Sequence, residues 1–251
     1  MDINYKPFAL ITGVAGGIGA ALVRAFKDAG YIVIGTDLVQ PPDVENIDFF
    51  FHINLENLIE NEVEAKVFYH QISQVLNGSG LKVLINNAAL QIIKPVNELT
   101  VIDLMRTLNT NTAAPFFLIQ NFLEDLERES GSVINISSIH ATLTKPNFVA
   151  YATSKAALSG LTRALSVELG HRVRINAIAP AAIATKMLKA GFENDKNGFE
   201  KLSKMHPVGK IGDPIEVADL AVFLSSGKAE FINGSIFDLN GGIGNRLYDP
   251  S

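Results

Sequence analysis

The chain of 251 residues carries 21 Lys and Arg against 26 Asp and Glu, a formal net charge of −5, with no block of like charge. That balance argues against a nucleic-acid or membrane partner. The absence of cysteine excludes disulfides, thiolate metal sites and a cysteine nucleophile, and no metal site is expected. No apolar run approaches ~18 residues, and the start lacks a basic region leading into an apolar run with a small-residue cleavage site. The expectation is one cytoplasmic domain over residues 1–251.

In chain order, Phe8 to Thr12 is a short continuous apolar run of the kind buried on both faces of a parallel sheet. It opens into Gly13-Val14-Ala15-Gly16-Gly17-Ile18-Gly19, followed by a helical pattern that stops at Gly30. Strand, glycine turn and helix start meet the needs of a pyrophosphate site, because glycine lets backbone approach phosphate oxygens and first-turn N–H groups point at them. A tight turn without a ligand is the competing reading. The next strand, Tyr31 to Thr36, ends at Asp37, about 20 residues on, where a carboxylate accepts from an adenosine ribose and repels a 2′-phosphate. No Lys or Arg stands at Val14, Ala15 or Leu38, which favours NAD over NADP.

A surface loop over Gln40-Pro41-Pro42-Asp43 precedes a third buried strand at Phe49 to Asn54, in which His52 reads as a strand or core residue. One long helix is expected over Glu56 to Leu76, and a fourth strand over Leu81 to Ile85 running into Asn86-Asn87-Ala88-Ala89. Two helices are expected between Asn97 and Glu129, with Pro115 at a kink in the second. Asn109 and Asn111 lie there, and an amide on an apolar helix face costs stability unless paired.

The strand Ser132 to Ser138 leads through a polar loop with Lys145 and Pro146 into a helix starting near Phe148. Tyr151 and Lys155 then share one face, one turn apart. An ammonium beside a phenol favours the phenolate, and a Ser138 hydroxyl at the strand mouth reaches the same substrate oxygen. Taken alone, such a pair more often covers apolar surface. Further strands are expected at Arg172 to Ile178 and Ser235 to Leu239, a helix from Pro214 to Ser225, and a mobile segment over a site at about 186–212. Repeated β–α alternation without internal repeats means a doubly wound parallel sheet with helices on both faces.

These residues resemble the short-chain dehydrogenase/reductase family in its single-domain form, over nearly the whole chain. The match rests on Thr12, Gly13, Gly16, Gly17, Ile18 and Gly19 in the cofactor turn, and on Asn86, Asn87 and Ala88 after the fourth strand. It continues with Asn111, with Ser138 thirteen residues before Tyr151, with Lys155, with Asn176 and Pro180 to Thr185, and with Asn240-Gly241-Gly242. The family resemblance implies a Rossmann-type fold, Tyr151 exchanging a proton, Ser138 holding the substrate oxygen, and Lys155 binding the nicotinamide ribose and lowering the Tyr151 pKa. It implies Asn111 positioning a water, Asn54 and Leu55 beside the adenine, Pro180, Ile183 and Thr185 beside the nicotinamide, and a homotetramer or homodimer. Ala89 and Ala181 stand where the family usually has Gly, and Asn54 where it commonly has Asp.

The expectation is an NAD-dependent oxidoreductase acting on a secondary alcohol or ketone. The alternatives are a non-catalytic dinucleotide-binding sensor or scaffold of the same fold, and an NADP-dependent ketoreductase. Gln91 and His140 flank the expected reaction centre and resemble positions in members that oxidise 3-hydroxybutyrate or sugars. They point to a small polyol, sugar or hydroxy acid, against the alternative that both are loop residues facing water. The hydroxybutyrate enzymes carry a Lys where this chain has Phe148, with Lys145 nearby as a substitute.

Overall fold

Seven short apolar runs become strands: β1 (Phe8–Thr12), β2 (Ile32–Asp37), β3 (Phe49–His52), β4 (Val83–Asn86), β5 (Ser132–Ile136), β6 (Arg174–Pro180) and β7 (Ile236–Leu239). They form one parallel sheet in the order β3-β2-β1-β4-β5-β6-β7 in the computed structural model, which describes residues 6–42, 46–192 and 195–247. The chain winds outward from β1 in one direction and from β4 in the other, so the strand order reverses between those two. A crevice opens there beyond the carboxyl ends of the strands, the usual ligand position in such sheets.

Alternate residues of the strands feed two separate cores. Leu10, Ile34, Leu84, Val133 and Ile175 face α3 (Glu62–Leu76), α5 (Ala114–Asn121), α6 (Leu123–Arg128) and the end of α7 (Val149–Leu169). Ile11, Val33, Ile85, Ile134 and Ile178 face α1 (Gly17–Asp28) and α10 (Pro214–Ser225), where Phe26 and Leu224 are fully buried. Burying a Leu or Ile side chain is worth ~1.5–3 kcal/mol, so both faces hold the site rigidly at the sheet's edge.

Several expected elements are corrected. The helix over Glu56 to Leu76 is two, α2 (Asn57–Glu60) and α3, because Asn61 leaves helical geometry and caps α3 by accepting from the Glu64 N–H at 3.1 Å. β3 is an edge strand rather than a buried one; His52 is a strand residue, as expected, with its side chain exposed rather than in the core. Between α4 (Val101–Leu108) and α5 lies a π-helical turn, Asn109–Ala113, so the expected break falls just before Pro115, which sits in the first turn of α5. The segment expected to be mobile carries two helices, α8 (Lys186–Ala190) and α9 (Lys196–Met205); residues 193–194 of it, like Asp43 of the expected surface loop, lie outside the described residues. Among the described residues no helix is long and apolar enough to cross a membrane, and no group of three or more His, Asp or Glu could hold a metal ion.

Candidate active site

The turn after β1 is built around Thr12. Its buried hydroxyl donates to the Ile85 carbonyl at 3.3 Å and accepts from the Asn87 and Ala88 N–H groups, each at 3.0 Å. Asn87 answers by donating its amide to the Thr12 and Gly13 carbonyls, both at 2.9 Å. The two strand ends are thereby locked together. Gly13 has φ 72°, and a Cβ there would stand 2.7 Å from the Ala88 Cα, so only glycine fits.

Helix α1 starts at Gly16 with no side-chain cap and no acidic residue in its first turn. Helix geometry leaves the N–H groups of Gly17, Ile18 and Gly19 without intrahelical partners, a ready seat for an anion. Thr185 packs against this turn, and a Cβ on Gly17 would lie 3.0 Å from its methyl. At the tip of β2, Asp37 accepts from the Ala15 N–H at 2.8 Å and the Val39 N–H at 3.2 Å. A carboxylate offers about four lone-pair sites, so two remain for ribose hydroxyls. Asn54 accepts from the Glu56 N–H at 3.1 Å, and Leu55 is buried in the core beside it. Pro180 ends β6, while Ile183 is buried and bridges to Gly212. These groups fit a dinucleotide with its pyrophosphate on α1 and its adenosine toward Asp37. Ala89 and Ala181 cause no strain, because the only non-glycine residues with positive φ among those described are Asn77, Ser130 and Asn147.

Ser138, Tyr151 and Lys155 converge beyond β5. Ser138 accepts from the His140 N–H at 3.2 Å, capping a short 3-10 turn, and its side chain hydrogen-bonds Tyr151. Lys155 is 2 % exposed and donates to the Ile136 carbonyl at 2.7 Å, with its ammonium 5.7 Å from the centre of the Tyr151 ring. Burial pushes the Lys155 pKa down to about 7. Burial raises the Tyr151 pKa and the Ser138 hydrogen bond opposes that rise. The Lys155 ammonium is turned to a carbonyl, and desolvation acts on both groups against their charged forms.

Asn111 is buried in the π turn. Its amide oxygen accepts from the Leu90 N–H at 2.7 Å, and its amide nitrogen donates to the Leu90 carbonyl and the Ser154 hydroxyl, both at 2.9 Å. The side chain is therefore committed to protein partners.

His140 and Gln91 border this centre differently. The His140 ring stacks on Phe148 at 4.5 Å between centroids, meets Tyr151 edge-on at 5.9 Å, and hydrogen-bonds the Thr144 hydroxyl at 3.0 Å. The Lys145 ammonium lies over the Phe148 ring, 4.7 Å from its centre. Burial, then the Lys145 charge, lowers the His140 pKa, which favours the neutral ring. Gln91 is partly buried on the coil directly after Leu90, held by the Asn111 clamp. That coil is tied to the far rim where the Lys94 N–H donates to the Asn147 carbonyl at 3.1 Å. The sequence reasoning missed Ser154 and Thr112; the signal for Ser154 was its position three residues beyond Tyr151 on the same helix face.

A family model described as enoyl-(acyl carrier protein) reductase matches residues 13–244. The chain belongs to the short-chain dehydrogenase/reductase family. It is 32% identical to a 3-oxoacyl-[acyl-carrier-protein] reductase FabG of Aquifex aeolicus, over 97% of this chain and 100% of that protein. In structure it is similar to the aldohexose dehydrogenase of Thermoplasma acidophilum, with a TM-score of 0.89, 26% identity, and 98% of each chain covered. It is also similar to a 4-hydroxyisoleucine dehydrogenase complexed with NADH, TM-score 0.85 at 26% identity, covering 96% of this chain and 100% of that one. ElxO with NADP bound gives a TM-score of 0.85 at 27% identity, with the same coverage. The chain is thus an oxidoreductase acting on an alcohol or ketone with NAD or NADP.

Proposed function

We propose that this enzyme uses NAD to interconvert a secondary alcohol and its ketone on a small polar substrate, a polyol, sugar or hydroxy acid. The bound cofactor supplies hydride transfer. The first turn of α1, at Gly16, Gly17, Ile18 and Gly19, holds the pyrophosphate, with Gly13, Asn87 and Ala88 fixing the turn's shape. Asp37 accepts from the adenosine ribose, Asn54 and Leu55 border the adenine, and Pro180, Ile183 and Thr185 border the nicotinamide. Ser138 Oγ holds the substrate oxygen while Tyr151 Oη gives or takes its proton. Lys155 would donate to the nicotinamide ribose hydroxyls. Asn111 offers its main-chain carbonyl to a water at the end of the proton path.

The observation that carries this reading is the convergence of Ser138, Tyr151 and the buried Lys155 beyond β5, with the His140 ring edge-on to Tyr151. A polar ring next to the proton donor suits a substrate with further oxygens, in keeping with aldohexose and hydroxyisoleucine dehydrogenases among its structural relatives. A homo-oligomer is supported by apolar side chains at the surface of α4, where Val101 is 75% and Ile102 71% exposed, beside exposed Val149 on α7. Light scattering of the purified chain reads this directly, and a monomer at all concentrations contradicts it.

The activity test is a panel of polyols, sugars, hydroxy acids and bulky apolar alcohols, scanned for NADH formation with NAD and NADP. Tyr151→Phe removes only the hydroxyl, so turnover should vanish while NAD affinity persists. Turnover within tenfold of the parent rules out the assigned mechanism.

A further inference from the structure

Ser154 is fully buried on α7 and lies at the crossing of two structural supports. Its hydroxyl donates to the Tyr151 carbonyl at 2.8 Å and accepts from the Asn111 amide at 2.9 Å. Its own carbonyl accepts from the Thr112 hydroxyl at 3.0 Å. A helical serine commonly bonds the carbonyl of the preceding turn, and that alone has no special meaning. Here two consecutive residues of another element grip the same residue. Successive side chains on an α-helix diverge by ~100°, which turns neighbours away from one another. The π-helical turn Asn109–Ala113 alters that spacing, and both Asn111 and Thr112 reach α7.

The other end of Asn111 clamps both polar backbone groups of Leu90, the residue before Gln91. An unbroken hydrogen-bonded line therefore runs from the coil after β4, through Asn111 and Ser154, to the main chain of Tyr151. The Tyr151 ring is met edge-on by His140 at 5.9 Å and Phe148 at 6.2 Å, while its main chain is held through Ser154.

We propose that Ser154 is a positioning residue, which sets the depth and direction of the Tyr151 phenol relative to the substrate wall at Leu90 and Gln91. The proposal rests on the assignment of Tyr151 as the proton-exchanging group. With Ser154→Ala, the Asn111 amide loses an acceptor and the Tyr151 carbonyl loses its second donor, so the first turns of α7 relax. A misplacement of ~1 Å at a reacting group can lower turnover by about 100-fold, and a smaller one by about 10-fold. Because the Ser138 hydrogen bond lowers the Tyr151 pKa, loosening it moves the pH limb that Tyr151 controls upward.

The test measures kcat, KM, NAD dissociation constant and the pH profile of kcat/KM for the parent and Ser154→Ala, on the best substrate of the panel. Expected are a fall in kcat of about 10-fold or more, an NAD dissociation constant within about twofold, and a pH limb displaced upward. Thr112→Val loosens the same turn from outside α7 and should shift kcat and the limb in the same direction by less, which keeps the proposal testable if Ser154→Ala does not fold. A drop in melting temperature with parental kcat and pH profile in the variants overturns the proposal. Tyr151→Phe, run in parallel, separates the two ideas: if it stays active, the proton assignment fails; if it is dead while Ser154→Ala and Thr112→Val match the parent, only the positioning role fails.

Discussion

The ammonium of Lys155 donates to the carbonyl of Ile136 at 2.7 Å, with no carboxylate among its partners, although it is almost wholly enclosed. Its pKa is about 7 in the folded protein against 10.5 for the free side chain, through burial. Between those values the unfolded chain binds more protons than the folded one, so this group's contribution to stability rises with pH. Below pH ~7 the fold carries the full cost of a buried charge. Lys155→Met should therefore raise the melting temperature more at pH 6 than at pH 9. Equal gains at the two values contradict a depressed lysine.

The proposed preference for NAD rests on Asp37. Its carboxylate already holds the Ala15 and Val39 N–H groups, and a 2′-phosphate would meet it without a compensating base at Leu38. Asp37→Ala with Leu38→Arg should shift the ratio of kcat/KM values toward NADP by at least about tenfold. A parent enzyme that prefers NADP in steady-state kinetics refutes the assignment.

His140 and Gln91 should contribute separately to substrate affinity. Loss of one hydrogen bond to a neutral oxygen costs ~0.5–1.5 kcal/mol, so His140→Ala or Gln91→Ala should lower kcat/KM about 2- to 10-fold, and more for a carboxylate partner. His140→Ala also removes the stack on Phe148 and frees Lys145 to move. Parental values in both variants, or turnover confined to bulky apolar alcohols, place substrate recognition elsewhere.

Gly13→Ala tests the turn itself. The added methyl meets the Ala88 backbone at 2.7 Å in a left-handed conformation, so the strand ends must separate. A cost of roughly 1–3 kcal/mol in unfolding free energy is expected, with NAD binding lost or weakened at least tenfold. Unchanged denaturation midpoints and NAD affinity would show that the Thr12–Asn87 lock tolerates a wider turn.

Most strands were legible because each is a short, mostly apolar run that ends at a turn-forming residue: Gly13, Asp37, Asn86, Ser137, Pro180 or Asn240. Phe49-Phe50-Phe51 misled for the same reason: an apolar run does not say whether a strand is central or lies at the edge, where Phe49 is exposed. The helix break at Asn61 had a readable signal, an Asn three residues before Glu64, and a continuous apolar pattern concealed it. The π turn had none, since one extra residue in a helix changes no local preference. Spacing placed Tyr151 beside Lys155, yet the direction of both pKa shifts depends on depth of burial and on the Ile136 carbonyl, which spacing does not encode.

The parallel bridge between Ile183 and Gly212, reinforced by Ala184 N–H to the Gly212 carbonyl at 2.8 Å and Gly212 N–H to the Ala182 carbonyl at 3.0 Å, pins both ends of the excursion carrying α8 and α9 at one point. Whatever lies between those ends is added or replaced without stretching the sheet, and doubling its length costs only ~0.6 kcal/mol of closure entropy. The architecture thus behaves as a cassette holder. Descendants of such a chain can exchange the outer segment while inheriting the glycine turn and the buried lysine unchanged.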